Sequence, residues 1–240
     1  MSSAWRGLLA EMAQSEHQFT MFDLPGHGDS LKWDFRGAFH DVSTAVAASF
    51  LDQKMDLIGH SFGASVALRL AVEHPDLVRS LILIEPVIFS LGFAYEPASK
   101  NAFLQDHAEF DRAIARDEFV GAARAFHQIW GSGQSWDRLP DKVQRGMVDK
   151  IHLIPAAASH VVEDAYGFCT AGLLEKIETP VLLLQGSASS APMPAVISSL
   201  QSRLPRCLVK TLEGAGHMAL ITHAKATAVL IQSFLKNHPV

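Results

Sequence analysis

The pentapeptide Gly59-His60-Ser61-Phe62-Gly63 stands between a short apolar run at 55–58 and a helical stretch that opens at Ala64. A strand turning this sharply into a helix forces Ser61 into a strained conformation with its hydroxyl above the sheet. The glycines two positions to either side let neighbouring backbone approach. A serine held this way is placed to attack a carbonyl carbon, with the Phe62 N–H and the helix start facing the developing oxyanion. The plain alternative is a serine that only fills a tight turn. A hydroxyl nucleophile also needs a base, and Gly214-Ala215-Gly216-His217 supplies one after the last apolar run. A histidine on a glycine-rich loop beyond the final strand can reach Ser61 across the sheet.

The chain holds twelve histidines, and the others, including His107, His152 and His160, show no HExxH or paired-ligand spacing. No metal is called for. Gly26-His27-Gly28 lacks a third glycine and a following helix, so no dinucleotide cofactor is called for either.

Five apolar runs that end in turn chemistry, at 19–23, 55–59, 81–85, 181–185 and 208–212, read as strands. Helical spacing lies between several of them. Ser2 or Ser3 can cap a first helix whose Trp5, Leu8, Leu9 and Met12 share a face. Phe39, Val42, Val46 and Phe50 form a second stripe, and 64–73 a third that His74-Pro75 stops. Strands alternating with helices predict an α/β fold with parallel strands and right-handed crossovers. From Pro86 to Glu178 no run reads as a strand. Phe119, Ala122, Ala123, Phe126 and Ile129 share a helical face there, and Pro140 suits a first turn ahead of Val143, Met147 and Ile151. That stretch reads as a helical insertion after a strand's carboxyl end, where insertions cover active sites. His60, Phe89 and Trp130 are its candidate pocket residues; with Phe93, Phe119 and Phe126, the aromatics either line an apolar pocket or simply form core.

Composition narrows the partners. At 240 residues the chain suits one domain or a single fold with an insertion, and 48% hydrophobic against 19% charged residues excludes disorder. Its net charge is −5 and no basic run occurs, which argues against nucleic acid and anionic membrane as partners. No apolar run approaches the ~18–20 residues of a membrane span. Cys169 and Cys207 form no CxxC and no disulfide framework, which fits a reducing, cytoplasmic setting. Residues 1–12 include Arg6 and Glu11 and do not read as a secretory signal. A small-molecule substrate is the expected partner.

Taken in chain order, Asp23-Leu24-Pro25-Gly26-His27-Gly28-Asp29-Ser30, the Gly59–Gly63 pentapeptide and Gly214-Ala215-Gly216-His217 resemble the α/β-hydrolases. The first is similar to the turn after their fourth strand, the second to their nucleophile elbow, the third to their histidine loop. The resemblance implies a mostly parallel sheet flanked by helices, with a core from 1–85 and 180–240. It also implies a helical cap at 86–179, inserted after the family's sixth strand, that sets substrate choice. Asp23 and His27 are then structural turn residues. The implied activity is a serine hydrolase, with carboxylic ester the first bond to expect and a small, mostly apolar substrate. The other reading is a weak or inactive hydrolase-fold protein that binds a small ligand under its cap.

The chain departs from the family in two places. The family's third catalytic residue follows its seventh strand in a Gly-x-x-Asp pattern, but here Gly186-Ser187-Ala188-Ser189 puts a neutral serine at that position. Glu85, at the end of the sixth family strand, is the candidate replacement and keeps the order Ser61, Glu85, His217; otherwise it only hydrogen-bonds turn amides. The second departure is the start. The family opens with three strands and a loop that gives a second oxyanion N–H, and neither precedes residue 1. Either the start codon is set too late, or the protein is truncated and lacks a strand between 19–23 and 55–58.

Overall fold

A computed structural model describes residues 1–238. Four parallel strands form its sheet: β1 (Met55–His60), β2 (Val78–Ile84), β3 (Val181–Gly186) and β4 (Cys207–Leu212), side by side in that order. The two central strands are rich in leucine and isoleucine because both of their faces are covered. In β2, Leu81 and Leu83 point to one layer with Val181 and Leu183 of β3, while Ile82 and Ile84 point to the other with Leu182 and Leu184. All eight are essentially buried.

The second layer is closed by α1 (Arg6–Glu11) and by the last helix of the chain. Leu8 and Met12 go inward as their spacing predicts. Neither Ser2 nor Ser3 caps that helix. It is entered through a 3-10 turn, Ser2–Trp5, and the Ser2 N–H donates to Asp23 Oδ1 at 2.6 Å. On the opposite layer lie α2 (Phe39–Ala48) and α3 (Phe62–Glu73), the latter beginning two residues before the expected Ala64.

The face that α2 buries matches the apolar stripe only in part. Phe39, His40, Ser43, Thr44 and Ala47 point inward, Val42 and Val46 are half-buried, and Phe50 lies beyond the helix, stacked on Phe22 at 4.6 Å. Polar groups win that face because His40 finds partners there: its Nε2–H donates to Ser65 Oγ at 3.1 Å.

One expected strand is missing. Residues 19–23 run as irregular chain with Phe19 and Met21 exposed. A strand exists only where its N–H and C=O groups meet a neighbour, and β1 is an edge of the sheet among the described residues. Asp23 works as a turn residue instead, accepting from the Asp29 N–H at 3.1 Å, while His27 Nδ1–H donates to the Pro25 carbonyl at 3.1 Å.

Between β2 and β3 the described elements are all helical. They are α4 (Phe89–Tyr95), α5 (Ala98–Ile114), α6 (Phe119–Trp130), α7 (Asp141–Val148) and α8 (Leu153–Val161), with short 3-10 turns. Pro140 is the N-cap of α7, and Ile151 falls past that helix's end. Beyond β3 come α9 (Pro192–Arg203), the short α10 (Ala219–Thr222) and α11 (Ala224–Lys236), which covers α1 and the sheet.

Candidate active site

Ser61 sits at the joint of β1 and α3 with φ 56° and ψ −125°. An L-residue there costs on the order of 1–3 kcal/mol and persists only where its surroundings hold it. Here the Ser61 N–H donates to the Ile84 carbonyl of β2 at 3.0 Å, and its own carbonyl accepts from Ala64 N–H at 2.9 Å. Of the two flanking glycines, one is sterically required. A Cβ on Gly59 would lie 2.4 Å from the Gly63 carbonyl oxygen and 2.6 Å from the Ala64 Cα, whereas one on Gly63 would meet nothing within 4 Å. The symmetric account of that motif therefore holds for Gly59 only. Phe62 is the first residue of α3, so its N–H is among the helix-start amides with no carbonyl a turn earlier to take it.

His217 follows β4 and is buried. Its Nε2 lies 2.9 Å from Ser61 Oγ, and its Nδ1 lies 3.2 Å from Glu85 Oε2. Because the carboxylate can only accept, Nδ1 carries the proton and Nε2 is left to receive the serine's.

Glu85 is fully buried, directly past the end of β2, with φ 50°. Its N–H donates to the Leu184 carbonyl at 2.8 Å. Oε1 accepts from the Gly186 N–H and from the Ser189 hydroxyl, both at 2.7 Å. A carboxylate taken out of water needs donors of this kind. Both sequence readings of Glu85 are thus met in the geometry: one oxygen takes a turn amide, the other faces His217.

The three candidate pocket residues separate. His60 is half-buried and donates from Nε2 to the His217 carbonyl at 2.8 Å, so it fastens the histidine loop. Burial first, and His217 beside it second, push its pKa down to about 3, so the ring is neutral. Trp130 stands edge-to-face with His217 at 4.8 Å between ring centroids. Its indole N–H donates to His107 Nε2 at 2.9 Å, and His107 Nδ1–H donates to the Phe103 carbonyl at 2.8 Å. Phe89 is buried on Trp130 and Phe103, at 5.4 and 4.7 Å. Phe119 is 41% exposed and Phe126 belongs to a helical cluster with Phe110, so the aromatic stripe is mostly core.

Another cluster escaped sequence reading because its members lie far apart in the chain. His40, Asp41 and His160 bring ligand-type atoms within 4.8 Å of one another. Asp41 Oδ1, however, already accepts from Arg69 at 2.5 Å and from His160 Nε2–H at 3.1 Å. The His40 and His160 rings stack at 4.7 Å, and burial, then His160 and Arg69, hold His40 down to about pKa 3. A guanidinium occupies the place a cation would take, so this donor set does not fit a metal and instead ties α2, α3 and α8 together.

Comparison with other proteins agrees with this frame. A family model described as the alpha/beta hydrolase fold matches residues 1–224. The pimeloyl-[acyl-carrier protein] methyl ester esterase of Neisseria meningitidis serogroup A is 32% identical over 229 residues, spanning 89% of this chain and 67% of that protein. Its serogroup C counterpart is 31% identical, spanning 89% and 81%. The 2-hydroxymuconate semialdehyde hydrolase of Pseudomonas sp. strain CF600 is 26% identical, spanning 96% and 80%. Among solved structures, a mutant haloalkane dehalogenase DatA from Agrobacterium tumefaciens C58 superposes with TM-score 0.74 at 19% identity, covering 98% of this chain and 86% of that one. MenH from S. aureus gives 0.68 at 20% identity, covering 99% and 90%. The family match runs through the elbow at Ser61 to the loop of His217, the same two segments that the fold brings into contact, and the chain belongs to the α/β-hydrolase-fold family.

Proposed function

We propose that this protein is a serine hydrolase that cleaves carboxylic esters through an acyl-enzyme. The observation that carries the reading is the unbroken chain of contacts from Glu85 Oε2 to His217 Nδ1 at 3.2 Å and from His217 Nε2 to Ser61 Oγ at 2.9 Å. Ser61 Oγ attacks the ester carbonyl as its proton passes to His217 Nε2. Glu85 stabilises the imidazolium so formed and keeps the proton of Nδ1 in place. The Phe62 N–H, at the positive end of α3, faces the oxyanion. Collapse of the tetrahedral species expels the alcohol, which takes the proton from His217. Water, deprotonated by the same ring, then releases the acid and restores Ser61.

Residues 86–179 serve as a helical cap over the core of 1–85 and 180–240, and Trp130 is the cap side chain that meets the site. The substrate is small and mostly apolar. The Glu85 contact weighs against the non-catalytic alternative. Among the described residues no helix is long and apolar enough to cross a membrane.

The test is labelling with a fluorophosphonate, together with turnover of an ester series of graded acyl length. Methyl esters come first because two of the relatives are named for one. A covalent adduct and turnover that both vanish in Ser61→Ala support the proposal. Turnover that survives Ser61→Ala overturns it, and ligand-raised melting without labelling favours the binder.

A further inference from the structure

Glu85 is oriented by more than its own backbone. A glutamate has three side-chain torsions, and either carboxylate oxygen can turn toward His217. Two donors on one loop decide which does. The Gly186 N–H and the Ser189 hydroxyl both donate to Oε1 at 2.7 Å, which leaves Oε2 for His217.

That loop is held tightly. A Cβ on Gly186 would lie 2.1 Å from the Ala215 carbonyl oxygen and 3.0 Å from Ser189 Oγ, so backbone and hydroxyl crowd the same turn. The Ala188 N–H donates to the Ala215 carbonyl at 2.8 Å, two residues before His217. One loop therefore fixes the carboxylate on one side and the histidine segment on the other.

We propose that Ser189 is a positioning residue for the Glu85–His217 pair; position 189 is also where the resemblance puts the family's acid, and the test uses that. The inference rests on the reading of Glu85 as the orienting carboxylate. Its geometric basis is that the Ser189 hydroxyl donates at 2.7 Å to Oε1, the carboxylate oxygen that does not face His217; an aspartate exchanged in at 189 serves as the test's rescue arm. Two carboxylates cannot both be charged at that distance without a strong penalty, so the exchange has to be paired: Glu85→Gln removes one charge as Ser189→Asp supplies another.

The experiment measures kcat, KM and the rate of Ser61 fluorophosphonate labelling for four proteins, with a thermal melt for each. They are the parent, Ser189→Ala, Glu85→Gln and the double variant Glu85→Gln/Ser189→Asp. Ser189→Ala is expected to lower kcat about tenfold, the worth of one hydrogen bond to a charged group, with KM changed less than about twofold. Glu85→Gln is expected to cost up to ~10⁴ in kcat. The double variant should regain at least about tenfold over Glu85→Gln alone. A merely structural serine would shift the melt without splitting kcat from KM, and its exchange for aspartate would rescue nothing. Full kcat in Ser189→Ala, or a folded double variant as slow as Glu85→Gln, overturns the inference and leaves the Glu85 reading standing. Near-normal turnover in Glu85→Gln overturns both.

Discussion

His60 holds His217 by its main chain: the His60 Nε2–H donates to the His217 carbonyl at 2.8 Å, and the two rings stand 5.0 Å apart. The residue next to the proposed nucleophile thereby sets the height of the loop that carries the proposed base. His60→Phe keeps a ring of similar bulk and deletes the donor. It is expected to lower kcat on esters about tenfold, one hydrogen bond's worth, with the melt shifted by only a few degrees. Steady-state kinetics beside a thermal melt check it; unchanged kcat would show that the loop holds itself.

The same ring makes the fold sensitive to acid. His60 and His40 are both pushed down to about pKa 3, chiefly by burial, from an ordinary value of 6.5. Between those limits the unfolded chain binds protons that the folded chain refuses. Stability is therefore full above about pH 6.5 and falls as pH drops toward 3, on the order of 1 kcal/mol per pH unit for each histidine. Urea unfolding at pH 7, 6 and 5 should show this slope, and His60→Gln should make it shallower. An equal slope in the variant would sink the assignment.

The two glycines of the elbow should respond in opposite ways. Gly59→Ala drives a Cβ to 2.4 Å from a backbone oxygen that no side-chain rotation can relieve, and a loss of at least about 3 kcal/mol is expected. Gly63→Ala enters open space in the first turn of α3 and gains helix propensity, up to about 1 kcal/mol. Paired thermal melts decide it, and equal destabilisation would restore the symmetric account.

How far this arrangement was readable in the sequence depends on what each residue needed. Ser61 and His217 were readable because a sharp strand-to-helix joint and a glycine-rich loop are local, and local geometry leaves a pattern. Glu85 was readable from its place at a strand end and from chain order, although its three donors come from 186, 189 and 217 and no spacing shows that. Ser189 was visible only as a missing acid; that its hydroxyl donates to Glu85 required the fold. The run at 19–23 has strand-like residues, but apolarity cannot supply a ladder partner. In α2 three of the five buried residues are polar, so hydrophobic periodicity found Phe39 but missed His40, Ser43 and Thr44.

Arg69 is the centre of the polar cluster that α2 presents to α3. It donates to Asp41 at 2.5 Å and to Glu73 at 2.7 Å, and its guanidinium lies 4.5 Å from the centre of the Tyr166 ring. A lysine keeps the charge but has no planar fork to serve two carboxylates while stacking on a ring. Arg69→Lys is expected to cost about 1–2 kcal/mol in urea unfolding, more than an exposed ion pair is worth, because the side chain is only 15% exposed. A change below about 0.5 kcal/mol would mean that the cluster is incidental.

Trp130 and His107 form a pair whose coupling is measurable. Burial pushes the His107 pKa below its ordinary value, which keeps the ring neutral; with Nδ1–H committed to the Phe103 carbonyl, Nε2 is the acceptor for the indole N–H at 2.9 Å. Trp130→Phe leaves that nitrogen buried without a donor, and His107→Leu leaves the indole N–H without an acceptor, while the Phe103 carbonyl keeps its helical bond from the main-chain N–H of residue 107. Each orphaned group costs about 1–3 kcal/mol. The double variant orphans neither group, so its loss should fall short of the summed single losses by at least about 1 kcal/mol. A double-mutant cycle by urea unfolding reads the difference directly. Because Trp130 also stands against His217, the single Trp130→Phe variant should lower kcat as well, while His107→Leu, with the indole still in place, should lower it less. If the losses simply add, the indole–imidazole bond contributes nothing, and aromatic packing alone holds Trp130 against His217.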